Sequence, residues 1–220
     1  MIVAIDGPAG AGKSTVAREV ARRCGFQLVD TGAMYRAVAY ESAESEVDLE
    51  DPEAVAEIAA SLRFEFRFVE DKNVIYCNGQ PLNDEIRTPR VSRDASVTSA
   101  HPKVRDVLVE QQRRVGRERP SVLEGRDIGT VVFPDAELKI FITATAEIRA
   151  RRRVEQMAEQ GQQADYDDVL REIIARDRRD TERDVAPLKQ ADDAIEIDSS
   201  HRSVDEILDE IEGYLSEISA

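Results

Sequence analysis

The sequence contains only two cysteines, two histidines and no tryptophan among its 220 residues, and aromatic residues make up 5% of it. Cys24 and Cys77 form no CxxC spacing and lie beside no histidine cluster. We therefore expect no disulfide framework and no zinc site. Because free cysteines are typical of a reducing compartment, we expect a cytoplasmic location. No apolar run approaches the roughly 18 residues of a membrane span. Because the chain begins directly on a strand-like apolar segment, we also expect no signal peptide.

Lysine is scarce as well, with 5 lysines against 25 arginines. Basic residues together number 30 against 45 acidic residues, which gives a formal net charge of -15. A surface of this sign repels nucleic-acid backbones and anionic membranes, so it disfavours a non-specific nucleic-acid binder and a membrane-bound protein. Any phosphate-binding site must therefore be a local cluster of arginine and lysine side chains.

The hydrophobic content of 41% and charged content of 34% are typical of a globular chain. Short apolar runs alternate with helical patterns, which predicts an α/β fold with a parallel sheet covered by helices. The predicted strands occupy 2–5, 27–29, 121–123, 138–142 and 194–197. The predicted helices occupy 14–24, 52–62, 104–115, 169–174 and 203–218.

Two segments interrupt this alternation. The stretch 62–68 alternates apolar and polar residues at period two, a turn is predicted at 71–73, and Asn78-Gly79 is a strong hairpin signal. These features predict a small antiparallel sheet inserted into the α/β core. The second interruption, at 149–164, has four arginines before a stretch that contains glutamine and glycine. Its composition is typical of a mobile segment that faces phosphates.

The segment from Gly7 to Thr15 matches the P-loop pattern G-x4-G-K-[ST], between a predicted strand and a predicted helix. Its glycines allow backbone N–H groups to surround phosphate oxygens, and the helix N-terminus adds partial positive charge. Lys13 can reach the β- and γ-phosphates, and the Ser14 hydroxyl can coordinate Mg²⁺. The predicted ATP-binding residues are Gly7, Pro8, Ala9, Gly10, Ala11, Gly12, Lys13, Ser14 and Thr15.

Three further segments, 30–36, 124–130 and 176–183, are rich in groups that bind anions. Each also has a structural interpretation: Thr31 could cap a helix, Arg126 and Asp127 could pair with each other, and the last segment could be a solvated salt-bridge ladder. That ladder would use Asp177, Asp180 and Asp184. Taken together, arginines placed around a P-loop in an acidic protein favour neutralisation of a second phosphate.

The sequence resembles the bacterial cytidylate kinase family along nearly its whole length. The matching blocks are 5–13, Asp30-Thr-Gly-Ala-Met-Tyr-Arg36, 85–87, Gly125-Arg-Asp-Ile-Gly-Thr-Val-Val-Phe-Pro-Asp135 and 185–188. The resemblance implies a P-loop nucleoside monophosphate (NMP) kinase fold, with a five-stranded parallel sheet flanked by helices. It implies a core formed by 1–36, 91–148 and 166–220, an NMP-binding insert at 37–90 and a lid at 149–165.

The resemblance also implies an activity: ATP phosphorylates CMP, and also dCMP, with Mg²⁺ as cofactor. We expect a monomer that binds no nucleic-acid polymer. The CMP-binding residues implied are Thr31, Arg36, Arg126 and Arg183 at the phosphate, Ser96, Arg105 and Asp127 at the cytosine, and Arg176 and Asp180 at the ribose. Arg149 is implied to bind ATP, and the catalytic residues implied are Lys13, Arg126, Arg153 and Arg183.

Two alternatives remain at this stage. One is another small kinase on the same scaffold, acting on UMP, AMP or a phosphate-free metabolite. The other is a P-loop switch that hydrolyses a nucleoside triphosphate slowly to control a partner. A switch needs no second nucleotide pocket, so the arginine segments and the inserted hairpin favour a kinase.

Overall fold

The structure is a computed structural model that describes residues 1–70, 72–159 and 161–219, with only the backbone of residue 219. The strands are β1 (Ile2–Asp6), β2 (Gln27–Asp30), β3 (Phe64–Val69), β4 (Lys72–Cys77), β5 (Gln80–Leu82), β6 (Ser121–Glu124), β7 (Leu138–Thr143) and β8 (Ile195–Asp198). The α-helices are α1 (Lys13–Cys24), α2 (Thr31–Glu44), α3 (Pro52–Ser61), α4 (Pro89–Thr98), α5 (Pro102–Arg117), α6 (Ala146–Glu159), α7 (Tyr166–Glu182) and α8 (Val204–Ser219). A 3₁₀ turn (Glu85–Arg87) precedes α4, and a π-helical turn (Ile128–Val132) follows β6.

Five strands form one parallel sheet in the order β2-β6-β1-β7-β8, which confirms the predicted α/β architecture. Successive residues of β1 enter two different cores. Ala4 packs with residues of α2 and α5, whereas Val3 and Ile5 pack with residues of α1 and α8. All three residues are fully buried. A strand covered on both faces is apolar at every position, which explains why this run shows no alternation.

The turn from β1 into α1 depends on glycine. Gly7 has φ 143°, and a Cβ at this position would lie 2.0 Å from the carbonyl oxygen of Ile142 in β7. Gly12, the N-cap of α1, has φ 93°. Only glycine adopts such backbone conformations without strain. The loop therefore passes close to β7 and begins α1 at the carboxyl edge of the sheet.

Strands β3, β4 and β5 form the predicted antiparallel sheet. Phe64 and Phe66 are buried in the same core cluster as α2 and α5, whereas Phe68 is exposed. The period-two pattern therefore marks one face that packs on the core over most of β3. Asn78 and Gly79, with φ 49° and 81°, form the predicted two-residue turn between β4 and β5.

The turn between β3 and β4 lies earlier than predicted. Val69 pairs with Lys72, so Lys72 and Asn73 belong to β4 rather than to a turn, and the prediction of a turn at 71–73 was wrong for these two residues. Asp71 lies outside the described residues. Glu70 has φ 48° and begins the tight connection.

The segment 149–164 is mostly helical, which its composition did not predict. Helix α6 runs through Glu159, and Arg149 and Ala150 are buried within it. Among the described residues of this segment, non-helical backbone is confined to 161–164. The helix forms here because its first turns pack on the sheet edge and on α7. Movement of this segment as a lid stays a prediction.

Besides α6, two helices that the sequence patterns did not predict, α2 and α4, complete the fold. Helix α2 follows β2 without a loop, and the side chain of Asp30 caps it by accepting a hydrogen bond from the Ala33 N–H at 2.9 Å. Helix α4 begins with Thr88 as its N-cap and Pro89 in its first turn. Among the helices that the structure describes, none is long and apolar enough to cross a membrane.

Candidate active site

The predicted phosphate-binding segments meet at the carboxyl edge of the parallel sheet. The P-loop follows β1, the segment beginning at Thr31 follows β2, and Gly125-Arg126-Asp127 follows β6. Because β6 lies between β1 and β2, the three segments are neighbours in space. Ligands of open α/β sheets bind at this edge.

Lys13 lies inside the P-loop. It is the first residue of α1, is 7% exposed, and donates from Nζ to the carbonyl oxygen of Pro8 at 2.7 Å. Burial, and then the nearby Arg126 guanidinium, lower the pKa of Lys13 well below its ordinary value. A buried ammonium held near a second cation is stabilised by an anion, so this part of the loop favours phosphate.

The Ser14 hydroxyl donates to Glu124 Oε2 at 2.7 Å. Glu124 is the last residue of β6 and is 5% exposed. Burial, and then the negative charge of Asp30, raise the pKa of Glu124 to about 7. The hydrogen bond from Ser14 acts in the opposite direction and lowers this pKa, but it is the smaller effect. The arrangement places a hydroxyl oxygen and a carboxylate side by side at the first turn of α1.

Asp6 connects the end of β1 to the segment after β6. Its carboxylate oxygens accept hydrogen bonds from the N–H groups of Ile128, at 2.9 Å, and Gly129, at 2.8 Å. Asp6 therefore fixes the start of the π-helical turn that directly follows Arg126 and Asp127. Burial outweighs these hydrogen bonds and raises the pKa of Asp6 to about 6.

The substitution Asp6→Asn should change how the free energy of unfolding depends on pH. The folded-state pKa of about 6 lies above the unfolded value near 3.9. The folded state therefore favours the protonated form, and the stabilising contribution of Asp6 is complete below about pH 4 and lost as the pH rises through about 6. Urea unfolding between about pH 4 and 7.5 should show the native protein losing stability relative to the variant. A difference between the two proteins that does not vary with pH would contradict this prediction.

Thr31 and Arg36 lie on the first turns of α2, facing β6. The Thr31 hydroxyl donates to the carbonyl oxygen of Glu124 at 2.7 Å and is buried. Thr31 is the first helical residue rather than the cap, because Asp30 caps α2. Arg36 Nη2 pairs with Asp30 at 3.0 Å, while its buried Nε has no partner among the described residues. The guanidinium thus keeps donor capacity for a further anion.

Arg126 joins the segment after β6 to α7. Its Nε donates to Asp180 Oδ2 at 3.0 Å, and Arg176 Nε lies 3.9 Å from the same oxygen. Burial, and then the Arg126 charge, lower the pKa of Arg176 to about 10. Two guanidinium groups placed around one carboxylate form a site suited to a dianion. The alternative in which Arg126 pairs with Asp127 is not observed, because each residue pairs elsewhere.

Asp127 and Arg105 form a buried ion pair at the end of β6, through Asp127 Oδ2. The other carboxylate oxygen lies 3.7 Å from Arg183 Nη2, which is buried without a hydrogen-bond partner among the described residues. The Arg105 guanidinium also lies over the Tyr35 ring, 5.6 Å from its centroid. Burial raises the pKa of Asp127 against its arginine neighbours. A carboxylate and an unpaired donor therefore stand next to each other.

Three residues implied to bind nucleotides lie apart from this cluster or face it differently. Arg149 is buried, donates a hydrogen bond to the Ala9 carbonyl of the P-loop and forms an ion pair with Asp177 of α7. Arg153 is exposed on α6 and donates to Gln156 at 2.7 Å. Ser96 lies half-buried on α4, and its carbonyl oxygen accepts a hydrogen bond from Ser99. The structure thus gathers the other implied residues around the sheet edge, Arg149 included, but shows no contact of Ser96 or Arg153 with them.

Sequence reasoning missed four residues that build this site. Glu124 ends an apolar strand next to β1, and that position alone could have indicated a carboxylate beside the P-loop. Tyr35 lies inside one of the matching blocks but was given no role. Asp6 and Asp30 act through backbone N–H groups at the ends of their strands. Nothing in the sequence pattern separates such carboxylates from surface ones.

A P-loop after β1 that faces arginines from α2, from the segment after β6 and from α7 defines a P-loop kinase. A solved shikimate kinase from Bacteroides thetaiotaomicron has the same fold, with TM-score 0.51 and 9% identity over 98% of each chain. The family model for cytidylate kinase matches residues 3–217. The cytidylate kinase of Bacillus thuringiensis (strain Al Hakam) is 42% identical over 99% of this chain and 97% of its own.

The cytidylate kinase of Bacillus anthracis (strain A0248) is also 42% identical, over 97% of this chain and 95% of its own. The chain therefore belongs to the cytidylate kinase family, and it is a kinase that transfers phosphate. The fold and family expected from the sequence are both confirmed.

Proposed function

We propose that the protein transfers the γ-phosphoryl group of ATP to CMP and to dCMP, with Mg²⁺ bound to the ATP phosphates. Membership of the cytidylate kinase family supports the choice of substrates. One structural observation carries the proposal. Arg126 follows β6, the strand next to the P-loop strand β1, and its Nε donates to Asp180 of α7 at 3.0 Å. It therefore links the P-loop side of the site to the helix that carries Arg176.

The donor side is the P-loop. Its positive-φ glycines and the N-terminus of α1 supply N–H groups for the ATP phosphates. Lys13 now donates to the Pro8 carbonyl, and a phosphate oxygen would replace this neutral acceptor with a charged one. The exchange strengthens the hydrogen bond and favours the charged form of Lys13.

Ser14 and Glu124 fit a magnesium ion. They offer a hydroxyl oxygen and a carboxylate 2.7 Å apart beside the phosphate loop, and Mg²⁺ takes oxygen ligands of this kind together with phosphates and waters. Within the described ranges, no cluster of three or more His, Cys, Asp or Glu could hold a metal without a substrate. When bound, the ion neutralises charge on the ATP phosphates. Glu124 orients the Ser14 hydroxyl by accepting its hydrogen.

The acceptor phosphate is proposed to bind between Arg36, Arg126 and Arg176, which gives Arg176 a role at the phosphate in place of the ribose contact that the resemblance implied. Its second pKa is near 6, so at neutral pH the oxygen is already a nucleophile and no general base is required. The barrier lies in bringing two polyanions into line, which arginine forks lower by neutralising and positioning them. The free donor capacity of Arg36 and Arg176 supports this role.

The cytosine ring is proposed to bind at Asp127. The amine of cytosine would donate to the Asp127 oxygen that Arg105 does not use. Arg183 Nη2 lies 3.7 Å from that oxygen and makes no hydrogen bond among the described residues, so we propose that it, rather than Arg105, donates to a ring acceptor. Cytosine presents an amine next to the N3 acceptor, whereas uracil presents a carbonyl at the amine position. The adjacent acceptor and donor in the site therefore favour cytosine over uracil.

The proposal is tested by the initial rate of ADP formation from ATP and Mg²⁺, with CMP, dCMP, UMP or AMP supplied in turn. We expect rates at least about tenfold higher with CMP and dCMP than with UMP or AMP, and no reaction when EDTA removes Mg²⁺. A preference for UMP or AMP would support another monophosphate kinase on this scaffold. Equal slow rates with and without any monophosphate would overturn the proposal in favour of a P-loop switch.

We further propose that the insert (37–90) and the lid (149–165) close over the bound substrates, because phosphoryl transfer must exclude water. Arg153 supports this proposal, since its side chain is exposed on α6 and donates to Gln156 rather than to a residue of the site. Fluorescence transfer between labels at positions 70 and 155 should therefore change when ATP analogue and CMP are both present. Transfer that is the same with and without nucleotides would contradict it.

A further inference from the structure

The Arg149 side chain is buried, and most of its N–H donors are already used by protein groups rather than left for a substrate. Its Nε donates to the Ala144 carbonyl at 2.9 Å, and Nη1 donates to the Ala9 carbonyl at 3.1 Å. Nη1 and Nη2 also form a two-pronged pair with Asp177, at 3.0 and 2.5 Å. Of the five N–H groups of an arginine, these contacts occupy four. Direct contact with ATP would break bonds that are already made.

These contacts connect the two halves of the active site. Ala9 belongs to the P-loop, and Gly10 beside it packs so closely that a Cβ would lie 3.3 Å from the Arg149 Cβ. Asp177 lies on α7, next to Arg176 and one turn before Asp180, the partner of Arg126. One guanidinium therefore joins the donor loop to the helix that faces the acceptor.

We propose that Arg149 is a positioning residue that couples the ATP and CMP sites energetically. Phosphates in the P-loop hold the Ala9 carbonyl in position, and Ala9 in turn holds the Arg149 guanidinium. Through its pair with Asp177, Arg149 then restrains α7, which places Arg176 and Asp180 for the second substrate. Such coupling is reciprocal: each nucleotide raises the affinity for the other by the same factor. The inference rests on the proposed function, and it replaces the direct ATP contact that the resemblance implied for Arg149.

Lysine cannot replace Arg149 in this role. A single ammonium lacks the planar fork that meets both oxygens of Asp177 while it also reaches a loop carbonyl. The side chains of Arg149 and Asp177 are 5% and 25% exposed. Neither partner can therefore move to a different geometry without disturbing its neighbours. A matched control is the Arg171–Asp168 pair on α7, whose side chains are 70% and 67% exposed.

The test measures the dissociation constant of CMP with and without a saturating non-hydrolysable ATP analogue, by calorimetry on the full chain with Mg²⁺. The native protein should show CMP affinity raised about 5-fold or more by the analogue. In Arg149→Lys and in Asp177→Asn this factor should fall to about one, while each nucleotide alone binds within about twofold of native. Arg171→Lys should keep the native factor.

Several outcomes would overturn the inference. If the analogue does not change the CMP affinity of the native protein, the two sites are not coupled. If it raises the CMP affinity of both variants as much as that of the native protein, Arg149 is not part of the coupling. Weaker binding of the analogue alone in Arg149→Lys, with normal binding in Asp177→Asn, would indicate a direct ATP contact. If Arg149→Lys does not fold, Asp177→Asn alone decides. Absence of CMP binding to the native protein would instead refute the proposed function, so the two failures are distinguishable.

Discussion

Replacing Arg126 with lysine should lower kcat about 10²–10³-fold, with much smaller changes in the KM values for ATP and CMP. The guanidinium is held by Asp180, through Nε at 3.0 Å, and by the Gly125 carbonyl, through Nη1 at 3.2 Å. Lysine keeps the charge but lacks a fork that can hold Asp180 and also meet phosphoryl oxygens. Because negative charge on the transferred group must be stabilised in the transition state, the loss falls on kcat.

Steady-state kinetics of Arg126→Lys over a matrix of ATP and CMP concentrations would check this prediction. Arg22→Lys is a suitable control, because the Arg22 side chain is 59% exposed and pairs with Glu19 on the surface of α1. The control should keep native kinetics, and both variants should unfold near the native temperature. An unchanged kcat, or a loss confined to the KM of one nucleotide, would show that Arg126 binds a substrate without stabilising the transition state.

Replacing Asp127 with asparagine should lower kcat/KM for CMP by about 100-fold and narrow the preference for CMP over UMP. A hydrogen bond to a charged partner contributes about 1.5–3 kcal/mol, which corresponds to about 10- to 150-fold. The asparagine amide can donate to the uracil carbonyl that the native carboxylate repels. The rate with UMP should therefore fall less than the rate with CMP, or rise. The measurement is kcat/KM for both nucleotides.

The same substitution should also lower the free energy of unfolding, by about 3 kcal/mol, because it leaves the Arg105 guanidinium buried beside a neutral partner. Arg105 is 2% exposed and cannot reach water without local rearrangement. Asp135→Asn is the matched control, since Asp135 is exposed on the loop that follows the same π-helical turn. Equal losses with CMP and UMP would mean that Asp127 acts on stability alone and does not recognise the base.

Much of the fold could be predicted because its strands and turns are determined locally. The runs Ile2–Ile5 in β1 and Val122-Leu123 in β6 are apolar and buried, the pattern of strands covered on both faces. Asn78-Gly79 predicted its hairpin turn because two consecutive residues with positive φ require such residues. The P-loop could be located for the same reason, since the close approach at Gly7 excludes a side chain.

The segment 149–164 shows where local patterns fail. Its arginines and glutamines are typical of a solvated, mobile segment, yet Arg149 and Ala150 lie within a packed helix. Composition cannot show that a single guanidinium will find a loop carbonyl and a carboxylate on another helix. Burial of an arginine is favourable only when such partners are already assembled, and that assembly depends on the packing of α6 against α7.

Sequence patterns are enough to predict the class of fold, the position of the P-loop and the segments that carry the cationic groups. These follow from hydrophobic period, glycine placement and residue type, all of which are local properties. Which charges meet depends on how the elements pack: Arg126 pairs with Asp180 rather than with its neighbour Asp127, and Glu124 accepts from Ser14. Ion-pair partners are chosen by distance in space and by burial, and residues far apart along the chain acquire both only when the sheet and helices have packed.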